Sequence, residues 1–214
     1  VTLSSPALFV LGDSISLDYG PYLERIFAGR LSYRRKGYAW LGSETLDSAL
    51  VNGGDSHSVR TFLQTESSQI GADCSILLLN CGLHDLRVDP RSGAHQVELE
   101  IYLHNLEQIV ALASALSRRV VWVRTTPIAD ARHNRLNPEF QRYNADVVTY
   151  NAGADAIMQK SNIPSLDLYH FTLGLCEQPD DLEQLYRDHV HFTPFVSRLQ
   201  AAYLAGWLEA FIYA

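Results

Sequence analysis

Apolar runs of β character alternate along this chain with segments of helical periodicity, and that alternation leaves few folds open. "ALFVLG" (Ala7 to Gly12) reads as a first strand, and "GYAW" with the residues before it as a shorter, weaker second. "SILLLNCG" (Ser75 to Gly82), "RVVWVRTTP" (Arg119 to Pro127) and "SLDLYH" (Ser165 to His170) supply three more. Their two-sided apolar character is that of parallel strands covered on both faces. Between them, Leu99, Leu103, Leu106, Val110, Ala113 and Leu116 mark one helical stripe. Val147, Tyr150, Ala154, Ile157 and Met158 mark another, with Asn144 ahead of it as a cap. Shorter helices are expected near Tyr19 to Phe27 and Ser56 to Gln64. Together these elements predict an α/β fold, a three-layer α/β/α sandwich around a mostly parallel five-stranded sheet.

At 214 residues the chain fits one domain, 1–214, with no repeat, low-complexity tract or linker to divide it. The net charge of −7 argues against a nucleic-acid partner, because phosphate binding needs a basic surface. No stretch reaches the roughly 18 uncharged apolar residues of a membrane span. The C-terminal "FVSRLQAAYLAGWLEAFIYA" comes closest, but Arg198 and Glu209 interrupt it. Its Phe195, Leu199, Ala202, Gly206 and Ala210 recur at helical spacing, which predicts a helix packed on the core through that stripe. The three cysteines, Cys74, Cys81 and Cys176, are an odd number, and two lie in or beside an apolar strand. That disfavours a disulfide framework and favours a cytoplasmic, reducing setting, although a leader trimmed ahead of the first strand would leave the same sequence.

In parallel α/β sheets ligands bind outside the carboxyl ends of the strands, so the places to search follow Leu11, Asn80, Thr126 and His170. After the first strand, "GDS" sets Gly12, Asp13 and Ser14 on a tight turn, with a helix N-terminus near enough to favour an oxyanion. An ordinary capping turn uses the same residue types. Near the other end, "DHVH" spaces Asp188 and His191 three apart, so that on a helical turn they face the same way. A carboxylate on one imidazole nitrogen leaves the other to take a serine proton; a polar loop with a chance Asp–His pair would look alike. "NGGDS" supplies Gly53 and Gly54, whose backbone N–H groups can approach a ligand closely, or simply mark a turn.

Taken in order, Ser14 in GDS, Gly54 in GGDS, Gly82 to Asp85 in GLHD, and Asp188 with His191 in DHVH resemble the blocks of the SGNH/GDSL hydrolase superfamily, across essentially the whole chain. The resemblance implies a flavodoxin-like sandwich and a triad of Ser14, Asp188 and His191. It also implies an oxyanion hole formed by the Ser14 and Gly54 N–H groups and a third-block asparagine. Here that block reads Gly82-Leu83-His84-Asp85, with histidine in the asparagine's place. An imidazole with its proton facing the site donates as an amide does, which makes His84 the substituted donor, with Asp85 fixing the loop or the ring. Three other roles stay open for His84: a second base, a packed side chain, or a metal ligand beside Asp85, His189 and His191.

The implied chemistry is serine esterase hydrolysis through an acyl-enzyme, with no cofactor. Acyl transfer or thioester cleavage would use the same triad, and a metal-dependent hydrolase is the remaining alternative. Asp13 is expected to support the nucleophile's turn. Arg87 and Arg91 follow the third strand, and Arg132 and Arg135 follow the fourth. They would suit a substrate carboxylate or phosphate, or serve as solvated loop charge. With no long apolar lid, the expected substrate is a small-molecule or carbohydrate ester of a short acyl group such as acetyl. A monomer and a homodimer are equally compatible with the sequence.

Overall fold

The computed structural model describes residues 6–38, 45, 46, 48–117 and 119–213. Its strands are β1 (Ala7–Leu11), β2 (Ser32–Arg35), β3 (Cys74–Leu79), β4 (Val120–Val123) and β5 (Ser165–Leu166). They lie in the order β2-β1-β3-β4-β5, every pair parallel. All residues of β1 and β4 are buried, as strands without hydrophobic alternation require. The order reverses at β1: the chain moves one way to β2 and the other way to β3. Such a switch point opens a crevice at the carboxyl ends of β1 and β3.

Seven α-helices are described, α1 (Ser14–Phe27), α2 (Ser56–Thr65), α3 (Leu99–Leu116), α4 (Asp130–Leu136), α5 (Asn144–Lys160), α6 (Leu168–Leu173) and α7 (Pro194–Tyr213). α1 packs on α7, and α2 and α5 both pack on α3, so the helices cover the two faces of the sheet. The three-layer α/β/α arrangement is therefore the one the alternation predicts.

Several local expectations need correction. The second strand lies in the residues before "GYAW", and Ala39 and Trp40 fall outside the described residues. "SLDLYH" stays extended only through Leu166, because the Asp167 carboxylate accepts from the His170 N–H (3.0 Å) and starts α6. α1 begins at Ser14 rather than near Tyr19, since Asp13 accepts from the Ile15 N–H (3.0 Å) and caps it. Asn144 is not the cap of α5 but its first residue. Its side chain accepts from the Ile128 N–H (3.2 Å) and donates to the Tyr169 hydroxyl (2.8 Å).

The face of α7 is also reversed. Phe195 is 68% exposed, and Ala202, Gly206 and Ala210 also face outward. The buried side carries Val196, Ala201, Leu204, Ala205 and Leu208. This helix is apolar on nearly every side, so spacing does not select a face. Branched Val196, Leu204 and Leu208 bury area there, but Ala201, Ala205, Ser197 and Gln200 are buried beside them, so residue size alone does not select the face. Among the described residues no helix is long and apolar enough to cross a membrane. Cys74, Cys81 and Cys176 are all free thiols.

Leu204→Ala should therefore destabilise the fold by about 2–5 kcal/mol, whereas Phe195→Ala should change it by no more than about 0.5 kcal/mol. Urea unfolding of the two variants tests this assignment of faces, and the reverse order would refute it.

Candidate active site

Two loops meet at the carboxyl end of β1 at a distance that tolerates no side chain between them. The Gly53 N–H donates to the Gly12 carbonyl (2.9 Å), and a Cβ on Gly53 would lie 2.8 Å from that oxygen. Gly54 follows with a φ of +74°, a left-handed conformation that glycine adopts without penalty. Its N–H donates to Asn52 Oδ1 (2.8 Å). The donor assigned from sequence to the oxyanion hole is thus held in a local turn, and a ligand oxygen would have to share it or displace Asn52.

The loop after β3 is fixed to this pair. Asp85 is fully buried, and both of its carboxyl oxygens accept from the Ser56 N–H at 2.9 and 3.0 Å. Ser56 opens α2, and its hydroxyl accepts from Asn105 Nδ2 (2.9 Å). Asp85 thereby fixes the loop that carries Gly54. Burial pushes the Asp85 carboxyl up to about 7, against the lowering effect of the bonds from Ser56. Beside it, His84 faces a cavity of about 400 Å³. Burial, then the Arg87 and Arg142 charges, draw its imidazole down to about 3. The ring is therefore neutral near pH 7, with one nitrogen carrying a proton to donate.

Ser14 and His191 line the same cavity. Ser14 is the first residue of α1, where backbone N–H groups lack intrahelical acceptors. Asp13 lies behind it, buried. Desolvation raises its pKa against the Ile15 N–H bond and the nearby Arg142 and His191 charges. Asp188 and His191 do not share a helical turn, as their spacing suggests. They sit in an irregular loop folded around the Asp188 carboxylate. That carboxylate accepts from the N–H groups of Val190 (2.8 Å) and His191 (2.7 Å), and it meets His191 Nδ1 at 2.8 Å. Burial acts to raise its pKa, but these donors outweigh it and the net direction is down. The opposite nitrogen, His191 Nε2, is buried with no hydrogen-bond partner among the described residues. The Ser14–His191 bond is thus not closed in this structure, a looseness common before substrate binds.

The arginines divide. Arg87 lines the cavity, with its guanidinium 4.4 Å from the Phe140 ring centroid. Arg132 instead donates to the Asp188 carbonyl (2.7 Å) and the Tyr186 carbonyl (3.4 Å), strapping the loop that carries Asp188. Arg135 pairs with Glu183 at 3.2 Å on the surface. Sequence reasoning missed Arg142, which is 2% exposed, lines the cavity and donates from Nε to the Leu83 carbonyl (2.6 Å). It lies in "EFQRYN", a polar stretch whose pattern does not set it apart from its neighbours. Lys36 was missed too: it lines the cavity and donates to the Asn52 carbonyl (2.9 Å). His189 lines the cavity with its ring against His133. Among the described residues no three His, Cys, Asp or Glu side chains converge as metal ligands. A second Asp–His pair, Asp167 and His170, has the same spacing and a 2.7 Å contact but lies outside the cavity.

Asp85 gives a test by pH. Its carboxyl titrates near 3.8 when unfolded and about 7 when folded, so the folded state holds more protons in between. Its contribution to stability is present below the lower value and lost as pH rises through the upper one. Asp85→Asn keeps an acceptor for Ser56 without titrating. Urea midpoints at pH 4.5 and 7.5 should therefore show the variant gaining relative to wild type at the higher pH. An identical pH dependence in both proteins would contradict this assignment.

No protein-family model matches the chain, and no curated protein does. Solved structures do. A lipase/acylhydrolase from Enterococcus faecalis aligns with a TM-score of 0.68 at 16% identity, over 95% of each chain. The acetyl xylan esterase AlAXEase aligns at 0.67 and 13% identity, over 94% of this chain and 99% of that one. A GDSL-like lipase from Bacteroides thetaiotaomicron aligns at 0.68 and 15%, over 96% and 88%. Over nearly its full length the chain therefore has the fold of these GDSL-type hydrolases, a five-stranded parallel sheet between layers of helices.

Proposed function

We propose that this chain is a serine ester hydrolase that removes a short acyl group, acetyl above all, from a small polar or carbohydrate alcohol. The observation that carries this reading is the Asp188–His191 pair, 2.8 Å apart, with the far imidazole nitrogen unpartnered among the described residues at the cavity that Ser14 also lines. His191 Nε2 takes the Ser14 hydroxyl proton as Oγ bonds to the ester carbonyl carbon. Asp188 stabilises the resulting imidazolium. Collapse of the tetrahedral intermediate breaks the bond to the alcohol, which leaves with the proton from His191. Water, deprotonated by His191, then attacks the acyl-enzyme and releases the acid and Ser14.

The negative oxygen of each tetrahedral intermediate would be met by the Ser14 N–H at the start of α1 and by the neutral His84 ring. Gly54 joins them once its N–H turns from Asn52. Support for a short acyl group comes from the limited cavity, about 400 Å³, and from its many polar lining residues. The structural likeness to an acetyl xylan esterase and to acylhydrolases points the same way.

Hydrolysis of p-nitrophenyl acetate should fall by about 10⁴ or more in Ser14→Ala, and EDTA should leave the wild type unaffected. Activity that survives Ser14→Ala but disappears with EDTA would overturn the mechanism. His84→Ala should cost about 10²–10³ in kcat, with His84→Asn retaining more. Unchanged kcat in His84→Ala would remove His84 from the oxyanion hole.

A further inference from the structure

The loop that carries Asp188 and His191 is closed on itself. The Arg187 N–H donates to the His191 carbonyl (2.9 Å), Tyr186 and Phe192 form an antiparallel bridge, and their rings stack at 4.6 Å. A loop tied this way docks as a unit, so its seat against α1 decides whether His191 can reach Ser14. Arg187 extends from the loop to that helix, where Nη2 donates to Asp18 Oδ1 (2.9 Å). Asp18 lies four residues after Ser14, one turn along α1 and on the same face. Its side chain is 8% exposed, and Oδ2 is buried with no hydrogen-bond partner among the described residues.

The same guanidinium lies against the acid of the pair. Arg187 Nε is 3.8 Å from Asp188 Oδ2, the oxygen that meets His191 Nδ1. It thus stands between Asp18 and Asp188, two carboxylates that disfavour each other's charge. Burial raises the pKa of Asp18, and the Arg187 and His191 charges act against it. Reciprocally, Asp18 favours a proton on His191, while a cation beside Asp188 disfavours one. The other charged and titratable groups around His191 are Asp188 and His189 of its own loop, Asp13 ahead of α1, and His84 after β3. Neither Arg187 nor Asp18 lines the cavity, so neither is placed to bind substrate.

Resting on the ester-hydrolase reading, we propose that Arg187 and Asp18 are positioning residues for the reaction. Their ion pair docks the Asp188–His191 loop on the helix that bears Ser14, and their opposite charges balance at the imidazole that accepts the serine proton. An ion pair whose arginine is partly exposed adds little to folding, but a misplacement of about 1 Å can cost about 10²-fold in rate.

Kinetics on p-nitrophenyl acetate test both halves. Arg187→Gln should lose roughly ten- to a hundredfold in kcat, with KM unchanged within about twofold. Asp18→Asn leaves the Arg187 charge unbalanced, so the acid limb of its kcat/KM profile should fall by about half a pH unit, and by less at high salt. The double variant Asp18→Asn/Arg187→Gln removes both charges. It should return the limb to the wild-type position while kcat stays as low as in Arg187→Gln. A contact that only braced the fold would lower kcat without moving the limb. Unchanged kcat in Arg187→Gln, a loss carried by KM, a limb unmoved in Asp18→Asn, or one still shifted in the double variant would each overturn the proposal. NMR titration of the His191 ring protons reads the same balance without turnover. The shift in Asp18→Asn and its reversal in the double variant, found in a protein with no Ser14-dependent hydrolysis, would count against the ester-hydrolase reading alone. A His191 titration equal in all three proteins would overturn the proposal even if esterase activity held.

Discussion

The buried contact between Asp85 and the Ser56 N–H joins the two loops on which the site depends. One loop, after β3, carries His84. The other, leading into α2, carries Gly54, and Gly53 bonds it to Gly12 beneath Ser14. Segments distant in sequence are thus fixed to one another at the reversal point of the sheet. Such an arrangement costs burial of a carboxyl group, which shows in its raised pKa. It also puts several groups in place before a substrate arrives, which is what electrostatic stabilisation of an oxyanion requires.

Charge is distributed unevenly over this frame. The chain is acidic in sum, while Lys36, Arg87 and Arg142 line the cavity beside Glu139. Burial, and then the Arg87 and Arg142 charges, hold His84 neutral, which keeps the ring in its donating form. On the other rim Asp188 orders its own loop through two backbone N–H bonds and sets the tautomer of His191, with Arg132 strapping the backbone from outside. Ser14 and His191 line the same cavity as Arg87 and Arg142, with Asp188 behind His191.

Much of the fold was legible because long two-sided apolar runs have few uses other than buried parallel strands. The stretches around β1, β3 and β4 are of this kind, and the stripes of α3 and α5 follow helical periodicity closely. Legibility failed where apolar character was uniform or a polar cap decided. α7 is apolar on most sides, so periodicity did not single out its buried face. The strand at Ser165 ended early because Asp167 caps α6. For the site, the short blocks around Ser14, Gly54, His84 and His191 were legible because in order they resemble the SGNH/GDSL blocks, while each alone reads equally as a turn or polar loop. Arg142 was not, since its position against Leu83 and Phe140 exists only after β3 and the segment before α5 have come together. Arg132 and Arg135 drew attention by charge alone, and the fold spends them on a carbonyl strap and a surface pair.

The central claim is that Ser14 is a nucleophile activated by His191, and covalent capture tests it most directly. A fluorophosphonate probe would be incubated with the protein, followed by peptide mass spectrometry. The expected result is a single adduct on Ser14, absent in Ser14→Ala and formed far more slowly in His191→Ala. Esterase activity that persists with Ser14 unmodified, or a stoichiometric adduct on another residue, would contradict it.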